Sequence, residues 1–173
     1  MPRILSDGEI GLLIAEKKTL PQKWEAWLKP KLSPDGYLRK RHEVTGEDGH
    51  DFVIDVRASV IGQSDFSVIL PVADADGQRY VLARFNGRHL SDHTNKWEKK
   101  NRKTNFRFRN DFHIHRATER YQLAGFPIDG YAEPTRNYSS FDAALRCFVS
   151  SNGFVIERED RPLLDRLEEG APE

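Results

Sequence analysis

The chain has little of what a secreted or membrane-spanning protein needs. Cys147 is the single cysteine among 173 residues, so no internal disulfide can form. The longest apolar stretches, 10–15 and 68–73, are far shorter than the roughly 20 residues of a membrane helix. Charged residues also interrupt the N-terminus where a signal peptide would be apolar. These absences predict a cytoplasmic protein that has no membrane partner.

Familiar catalytic motifs are absent as well. The sequence holds no glycine-rich phosphate loop, no Gly-x-Ser-x-Gly elbow and no Cys-x-x-Cys pair. Nucleotide hydrolysis and catalysis by a serine or cysteine nucleophile are therefore disfavoured. An activity has to be inferred from the arrangement of other side chains.

Only the net charge of the chain is zero, and the individual charges are unevenly distributed. The formal net charge is zero, with 27 Lys and Arg against 27 Asp and Glu. Residues 79–120 nevertheless hold 12 basic against four acidic residues, a net charge of +8, and the remainder holds 15 against 23, or −8. Such asymmetry predicts an anionic ligand or an acidic partner for the basic segment. The alternative is a solvated surface whose charges are neutralised by acidic neighbours in the folded chain.

The N-terminal part is predicted to form helices followed by an irregular connection. Ser6 and Glu9 form a capping box, and apolar residues recur every three or four positions after it, which predicts a helix over 6–18. A second helix is predicted over 21–29, with a proline in its first turn. Turn-forming residues throughout 30–50 predict an irregular connection.

Alternating apolar and polar residues predict a β-rich centre. Strands are predicted over 52–60, 66–72 and 79–85, and they would form an antiparallel meander. The weakly apolar segment 86–104 predicts a long loop that is functional or mobile. The remaining predicted elements are a strand over 105–115, helices over 116–124 and 139–150, a strand over 154–157 and a short helix over 160–169.

Together these elements predict an α+β fold. N-terminal helices would pack on a four- or five-stranded antiparallel sheet that also carries a C-terminal helix. We expect residues 1–50 to form the helical segment and irregular connection, and residues 51–173 to form the α+β core. Both parts are expected to belong to one compact domain, because chains of this length rarely divide.

Segment 105–115 is the most informative stretch for function. Its even positions from 106 to 114 are mainly apolar. The ionisable residues share the odd positions: Arg107, Arg109, Asp111, His113 and His115. A regular strand places alternate side chains on one face. The segment is therefore predicted to be anchored by its apolar face and to offer a row of ionisable groups on the other.

His113 and His115 begin a His-x-His-x-x-x-Glu string that ends at Glu119. The string resembles part of the first motif of cupins, and this resemblance implies a metal site. The leading glycine of that motif is missing, and no histidine follows His115. His89 or His93 would complete a site only if the long loop folded back over the strand. We therefore predict no metal ligand set and no cofactor.

RNA cleavage without a metal is the chemistry that these residue types favour. Cleavage by the 2′-hydroxyl of the RNA needs a base and an acid with pKa values near neutrality, and cations for the charge on the phosphorane. We predict His113 and His115 as base and acid, and Arg107 and Arg109 as the catalytic phosphate ligands. N-terminal helices followed by a small antiparallel sheet resemble the plan of small bacterial endoribonuclease toxins, which implies ribonuclease activity.

The surrounding basic and aromatic residues are predicted to bind the ligand through phosphate contacts and base stacking. The predicted binding residues are His89, His93, Lys99, Lys100, Arg102, Lys103, Arg116, Arg120 and Tyr121. We therefore expect binding of a phosphate-rich ligand, RNA before DNA, with metal-independent endoribonuclease activity at the histidine pair as a further hypothesis. The alternative is a non-enzymatic regulator or inhibitor that binds an acidic protein partner through the basic segment.

Overall fold

A computed structural model describes residues 3–62, 64–89, 91–104 and 106–157. The helices among these residues are α1 (Asp7–Ala15), α2 (Trp24–Trp27), α3 (Lys96–Lys100), α4 (Glu119–Leu123) and α5 (Phe141–Ser151). The strands are β1 (Lys18–Leu20), β2 (Lys31–Leu32), β3 (Tyr37–Thr45), β4 (Asp51–Ser59), β5 (Phe66–Ala73), β6 (Arg79–Asn86), β7 (Asp92–Thr94), β8 (Arg107–Arg109), β9 (His113–Arg116), β10 (Tyr131–Pro134) and β11 (Phe154–Ile156). None of these helices is long and apolar enough to cross a bilayer. The helix predicted over 160–169 lies outside the described residues.

Seven of the strands form one antiparallel sheet in the order β10-β9-β6-β5-β4-β3-β2. β1 and β11 form a parallel pair, and β7 and β8 form an antiparallel pair that we call the ribbon. The predicted α+β class, with a large antiparallel sheet and a C-terminal helix, is confirmed. The sheet exceeds the predicted four or five strands because β2 and β3 lie in the connection predicted over 30–50, and β10 lies between the helices predicted over 116–124 and 139–150.

β3 replaces much of the irregular connection predicted over 30–50, and that prediction is wrong. The strand pairs with β4 along its whole length, from Tyr37 opposite Ser59 to Thr45 opposite Asp51. The turn-forming residues that motivated the prediction lie at the ends of the strand rather than within it. The N-terminal segment and the expected core therefore share one sheet.

The prediction of one continuous strand over 105–115 is also wrong. Its first part is β8, which pairs with β7, whereas its last part is β9, which pairs with β6 and β10. Between them Asn110 has a φ of 53°, a left-handed conformation that a continuing strand does not adopt. The side chains of β8 and β9 therefore do not form the single polar face that the alternation predicts.

One face of the seven-stranded sheet carries the hydrophobic core, and we call it the helix face. α5 packs on this face through Phe148, whose ring centroid lies 5.4 Å from that of Phe85. Ile114 is paired with Phe85 and therefore belongs to the same face. Ile10 of α1 joins the same core cluster. Burial of these apolar side chains decides which face of each strand turns inward.

The opposite face of the sheet is polar, and we call it the open face. A row of directly paired residues crosses five of its strands: Arg41, Asp55, Ile69, Arg84 and His115. Directly paired residues in antiparallel strands project to the same side of a sheet. The row therefore leads from β3, near one edge, to β9, next to the strand at the other edge.

The hydroxyl of Tyr138 joins β6 and β9 at the end of their pairing. It lies 2.8 Å from the carbonyl oxygen of His113 and 3.0 Å from that of Asn86, and it can donate to either. The Tyr138 side chain is buried. Removing this hydroxyl would take a donor from two buried carbonyl groups, which is unfavourable.

We expect Tyr138→Phe to lower the free energy of unfolding by about 1–3 kcal/mol, because it removes a buried donor while keeping the ring. Tyr37→Phe is the matched control, since Tyr37 is partly exposed and its hydroxyl has no hydrogen-bond partner among the described residues. Equilibrium unfolding in urea measures both variants. Equal losses would contradict the role given to the Tyr138 hydroxyl.

Candidate functional site

Three histidines meet where the ribbon lies over the open face, and we call His93, His113 and His115 the histidine cluster. One ring nitrogen of each lies within 4.8 Å of those of the other two. The ring centroids of His113 and His115 are 5.1 Å apart, and that of His93 lies 4.8 Å from His115 and 5.7 Å from His113. The sequence predicted the first two as a pair and His93 as a binding contact that would join them only if the long loop folded back over the strand.

Strand β9 and the ribbon build this cluster. His113 and His115 alternate along β9, so both project onto the open face while the residue between them projects into the core. β7 places His93 beside them, and on β8 the ring of Phe108 lies 4.9 Å from that of His93 and 5.2 Å from that of His113. The chain between β6 and β9 thus folds back over the sheet. This is the fold that the sequence analysis required before a third histidine could join His113 and His115.

Each ring of the cluster has one nitrogen held by a fixed oxygen. Nδ1 of His113 lies 2.8 Å from the backbone oxygen of Asp111, and Nδ1 of His115 lies 2.8 Å from that of Asp129. Because a carbonyl oxygen can only accept, both Nδ1 atoms carry the proton. The Nε2 atoms of these two histidines therefore carry lone pairs.

His93 is oriented in the same way by Asn95. Nε2 of His93 lies 2.9 Å from Oδ1 of Asn95. The Asn95 amide is itself oriented by edge strand β10, where Oδ1 accepts from the N–H of Ala132 at 2.9 Å and Nδ2 donates to the oxygen of Ala132 at 2.8 Å. Since Oδ1 only accepts, Nε2 of His93 donates to it and Nδ1 keeps the lone pair. Asn95 thus fixes one ring and ties the chain after β7 to the edge of the sheet.

Burial keeps the histidine cluster uncharged near neutral pH. His113 and His115 expose 1% and 8% of their surface. The loss of hydration lowers the pKa of His113 to about 4 and the pKa of His115 to about 3, and burial also lowers the pKa of His93. A general base and acid for metal-free RNA cleavage need pKa values near neutrality. Burial therefore argues against the predicted acid–base roles, whereas neutral imidazoles with lone pairs are good metal ligands.

An arginine that sequence reasoning did not single out lies beside the cluster. Arg84 on β6 is directly opposite His115, and its guanidinium forms an ion pair with the carboxylate of Asp129. Asn86 is directly opposite His113 and brings its Nδ2 within 3.2 Å of the His113 Nε2. These neighbours follow from the pairing of β6 with β9, which no linear pattern in the sequence reveals.

The predicted catalytic arginines, Arg107 and Arg109, do not face the histidines. They alternate with Phe108 along β8, and Phe108 is the residue that contacts the histidine cluster. Their side chains therefore project to the other side of the ribbon, where both form ion pairs with Asp92. The Arg107 and Arg109 side chains remain 64% and 76% exposed, so they are accessible to a ligand but do not contact the cluster.

Three predicted binding residues also have different surroundings. Arg116 is exposed but alternates with the histidines along β9, so it projects to the helix face. Tyr121 is buried and donates its hydroxyl to Glu98 at 2.5 Å, so its ring cannot stack on a base. Arg120 forms an ion pair with the same carboxylate at 2.7 Å. Tyr121 and Arg120 therefore join α4 to α3 through the Glu98 carboxylate.

The other predicted cations are exposed. Lys99, Lys100, Arg102 and Lys103, together with Lys96, form what we call the basic run. Within the described part of the chain, no carboxylate lies within ion-pair distance of any of them. The run directly follows Asn95, so it begins at the β10 edge of the sheet. This part of the predicted surface is available to an anionic ligand.

Of two further residues from the sequence analysis, His89 lies beside the cluster and Glu119 lies away from it. The ring of His89 lies 5.1 Å from that of His113, and its Nδ1 is 2.8 Å from the Ser91 hydroxyl oxygen. Glu119 instead accepts a hydrogen bond from the backbone N–H of Asp7 at 3.3 Å. The glutamate of the cupin-like string therefore does not join the histidines.

No protein-family model, curated protein or solved structure matches this chain. Its chemistry is therefore inferred from its own geometry: three neutral imidazoles of fixed orientation, a neighbouring arginine and exposed cations. The lone pairs of the histidine cluster could hold a divalent metal ion. The surrounding cations could hold phosphate groups.

We expect Asn95→Ala to loosen the ribbon, because it removes both hydrogen bonds to Ala132 and the acceptor for His93. The free energy of unfolding should fall by about 1–3 kcal/mol. Amide hydrogen exchange should accelerate over 91–109 more than in β4 and β5.

Asn101→Ala is the control for this change, since Asn101 is exposed and its side chain bonds to the backbone at the end of α3. It should leave exchange in the ribbon as in the wild type. Unchanged ribbon exchange in Asn95→Ala would contradict the anchoring role.

Proposed function

We propose that the protein binds RNA, with the phosphate backbone lying across the open face toward the histidine cluster and the basic run. The row of paired residues that places Arg41 and Arg84 on the same face as His115 is the observation that supports this most. Arg41 and Arg84 form ion pairs with Asp55 and Asp129, and the phosphates of a bound RNA would compete with these carboxylates for the two guanidinium groups.

The β3–β4 end of the open face combines exposed charge with an aromatic ring. Arg39, Arg41 and Arg57 are exposed, and the guanidinium carbon of Arg57 lies 4.0 Å from the ring centroid of Tyr37. Arg39 forms an ion pair with Asp35 at 2.5 Å, whereas Arg57 forms none with a described carboxylate. Aromatic rings and guanidinium planes stack on unpaired bases, and arginine also binds phosphate. This end of the face therefore offers both kinds of contact.

The basic run extends the cationic surface beyond the histidine cluster. It follows Asn95, which is bonded to edge strand β10, so it begins at the opposite end of the sheet from β3. Its five cations are exposed and pair with no described carboxylate. The positive charge that is concentrated in residues 79–120 is thus only partly neutralised by neighbours in the fold, which favours an anionic ligand over a merely solvated surface.

An acidic protein is the alternative partner that the same cations permit. We favour RNA because Tyr37 and Arg57 add a stacking surface to the positive charge. Unpaired bases can stack on this surface, whereas the carboxylates of an acidic protein would contact only the charges. RNA is favoured over DNA because its single-stranded regions expose the unpaired bases that such surfaces bind. A cytoplasmic location belongs to this proposal.

Charge changes at both ends of the surface test RNA binding. We expect the double variant Lys99→Glu/Lys100→Glu to weaken binding of a labelled single-stranded RNA roughly ten-fold, and Arg57→Gln to weaken it less. Each lost phosphate contact should reduce the slope of log affinity against log salt by about 0.7. Fluorescence anisotropy between about 50 and 200 mM salt, with EDTA present, measures both quantities.

Lys29→Glu is the matched control, because Lys29 is exposed and lines a cavity with Leu38 and Ala58 on the helix face. It should leave the affinity within about two-fold of the wild type. Equal affinity for all variants would contradict the proposed surface. Binding of a polyglutamate peptide without binding of RNA would instead support the acidic-partner alternative.

A further inference from the structure

We propose that His93, His113 and His115 bind one divalent transition-metal ion of the Zn²⁺ class. The ion would join the ribbon to the sheet, since one ligand lies on β7 and two lie on β9. This inference goes beyond RNA binding and does not depend on it.

The spacing of the ring nitrogens suits one shared ion. Zn²⁺ binds histidine nitrogen at about 2.0–2.1 Å, which places two ligands of a tetrahedral site roughly 3.3 Å apart. The three nitrogens of the cluster lie within 4.8 Å of one another before any ion draws them together. Binding one ion would require the three side chains to move closer together. His93 can follow most easily, because it is only partly buried and lies on the short ribbon.

The hydrogen bonds around the cluster are those that ligating histidines usually have. A metal-bound imidazole typically donates its second N–H to a carbonyl or carboxylate oxygen, which fixes its tautomer and orientation. His113 and His115 donate to backbone oxygens, and His93 donates to the oriented amide oxygen of Asn95. All three rings therefore present a lone pair from a fixed orientation.

The charges near the cluster permit a cation. Arg84 lies beside the cluster, and its ion pair with Asp129 offsets part of its positive charge. Among the described residues, Nδ2 of Asn86 lies 3.2 Å from the Nε2 lone pair of His113, and metal binding would replace this long contact.

Three imidazoles also limit the identity of the metal. Imidazole suits Zn²⁺, Cu²⁺, Ni²⁺ and Fe²⁺, whereas Mg²⁺ and Ca²⁺ prefer oxygen ligands. Within the described residues, the group contains no carboxylate or thiolate. A tetrahedral ion held by three protein ligands keeps its fourth position for water or substrate, which is the arrangement of catalytic zinc sites. His89 approaches the edge of the cluster, but its Nδ1 is bonded to the Ser91 hydroxyl.

A bound metal would also give the proposed RNA surface a cleavage chemistry, and this extension rests on the proposed function. A metal lowers the pKa of its bound water to about 7. The water oxygen would form a bond to phosphorus while the bond from phosphorus to the leaving sugar oxygen breaks, and a proton of the water would pass to that leaving oxygen. Arg84, whose side chain is 33% exposed, would have to exchange its ion pair with Asp129 for a phosphate oxygen.

Metal binding is measured on the full chain without RNA. After EDTA treatment and buffer exchange, the protein is titrated with Zn²⁺ by calorimetry and with Co²⁺ by visible absorption. We expect one ion per chain and Co²⁺ bands typical of tetrahedral nitrogen coordination. Loss of a group that orients a metal ligand typically lowers metal affinity by roughly 10- to 100-fold, and Asn95→Ala should lower the affinity for Zn²⁺ within that range. His93→Gln removes a ligand itself and should lower the affinity by more.

His50→Gln is the control, because His50 is half-exposed and bonds to Glu16 away from the cluster. It should bind one ion as the wild type does. Wild-type protein that binds less than one ion per chain, or His93→Gln that binds as tightly as the control, would overturn the metal site. His93 lies on the ribbon, so its replacement leaves the paired strands of the sheet intact, and the wild-type titration decides the question even where a variant fails to fold.

The two proposals fail separately. One ion per chain without RNA affinity would overturn only the proposed function, whereas RNA affinity in EDTA without stoichiometric metal would overturn only the metal site. A denaturing gel of RNA incubated with the Zn²⁺-loaded protein tests the cleavage extension. Cleavage that EDTA and His93→Gln abolish would support it, and intact RNA at saturating metal would overturn it.

Discussion

The register between β6 and β9 is the constraint on which the candidate site depends. It sets Arg84 opposite His115, and it places Ile114 against the core on the other side of the sheet. Because side chains alternate along a strand, a slip of one residue would bury the wrong set: the imidazoles would enter the apolar core and Ile114 would face water. The hydrophobic effect that selects this register therefore also positions the two imidazoles. The ribbon then has to supply only one more ring, that of His93.

The parts of the fold that were predictable from the sequence depend on neighbours close along the chain. The capping box of Ser6 and Glu9 begins α1, and α5 presents the apolar stripe that its spacing predicted. The meander of β4, β5 and β6 was visible because each strand buries side chains with a simple pattern. β3 was missed because its solvent side carries arginines and its inner side is only half-buried, so its composition matched that of a polar connection.

The candidate site was only partly predictable, for reasons of long-range geometry. The proximity of His113 and His115 follows from local alternation, but the approach of His93 depends on a chain reversal that the left-handed Asn110 allows. The pattern of β8 resembles that of β9, yet the two strands pair with different partners, so Arg107 turned out to face away from the histidines. The groups that orient the rings are mostly backbone oxygens, which no side-chain motif can report.

β6 and β9 are adjacent in the sheet although residues 87–112 separate them in sequence, so that segment is an insertion at the tip of what would otherwise be a hairpin. The scaffold supplies two imidazoles and Arg84, while the insertion supplies His93 and the basic run. An exchange of the insertion would leave every strand pairing of the main sheet in place, since none of those pairings involves it. The proposed ligand contacts of this segment can therefore change without a change in the strand pairing of the main sheet.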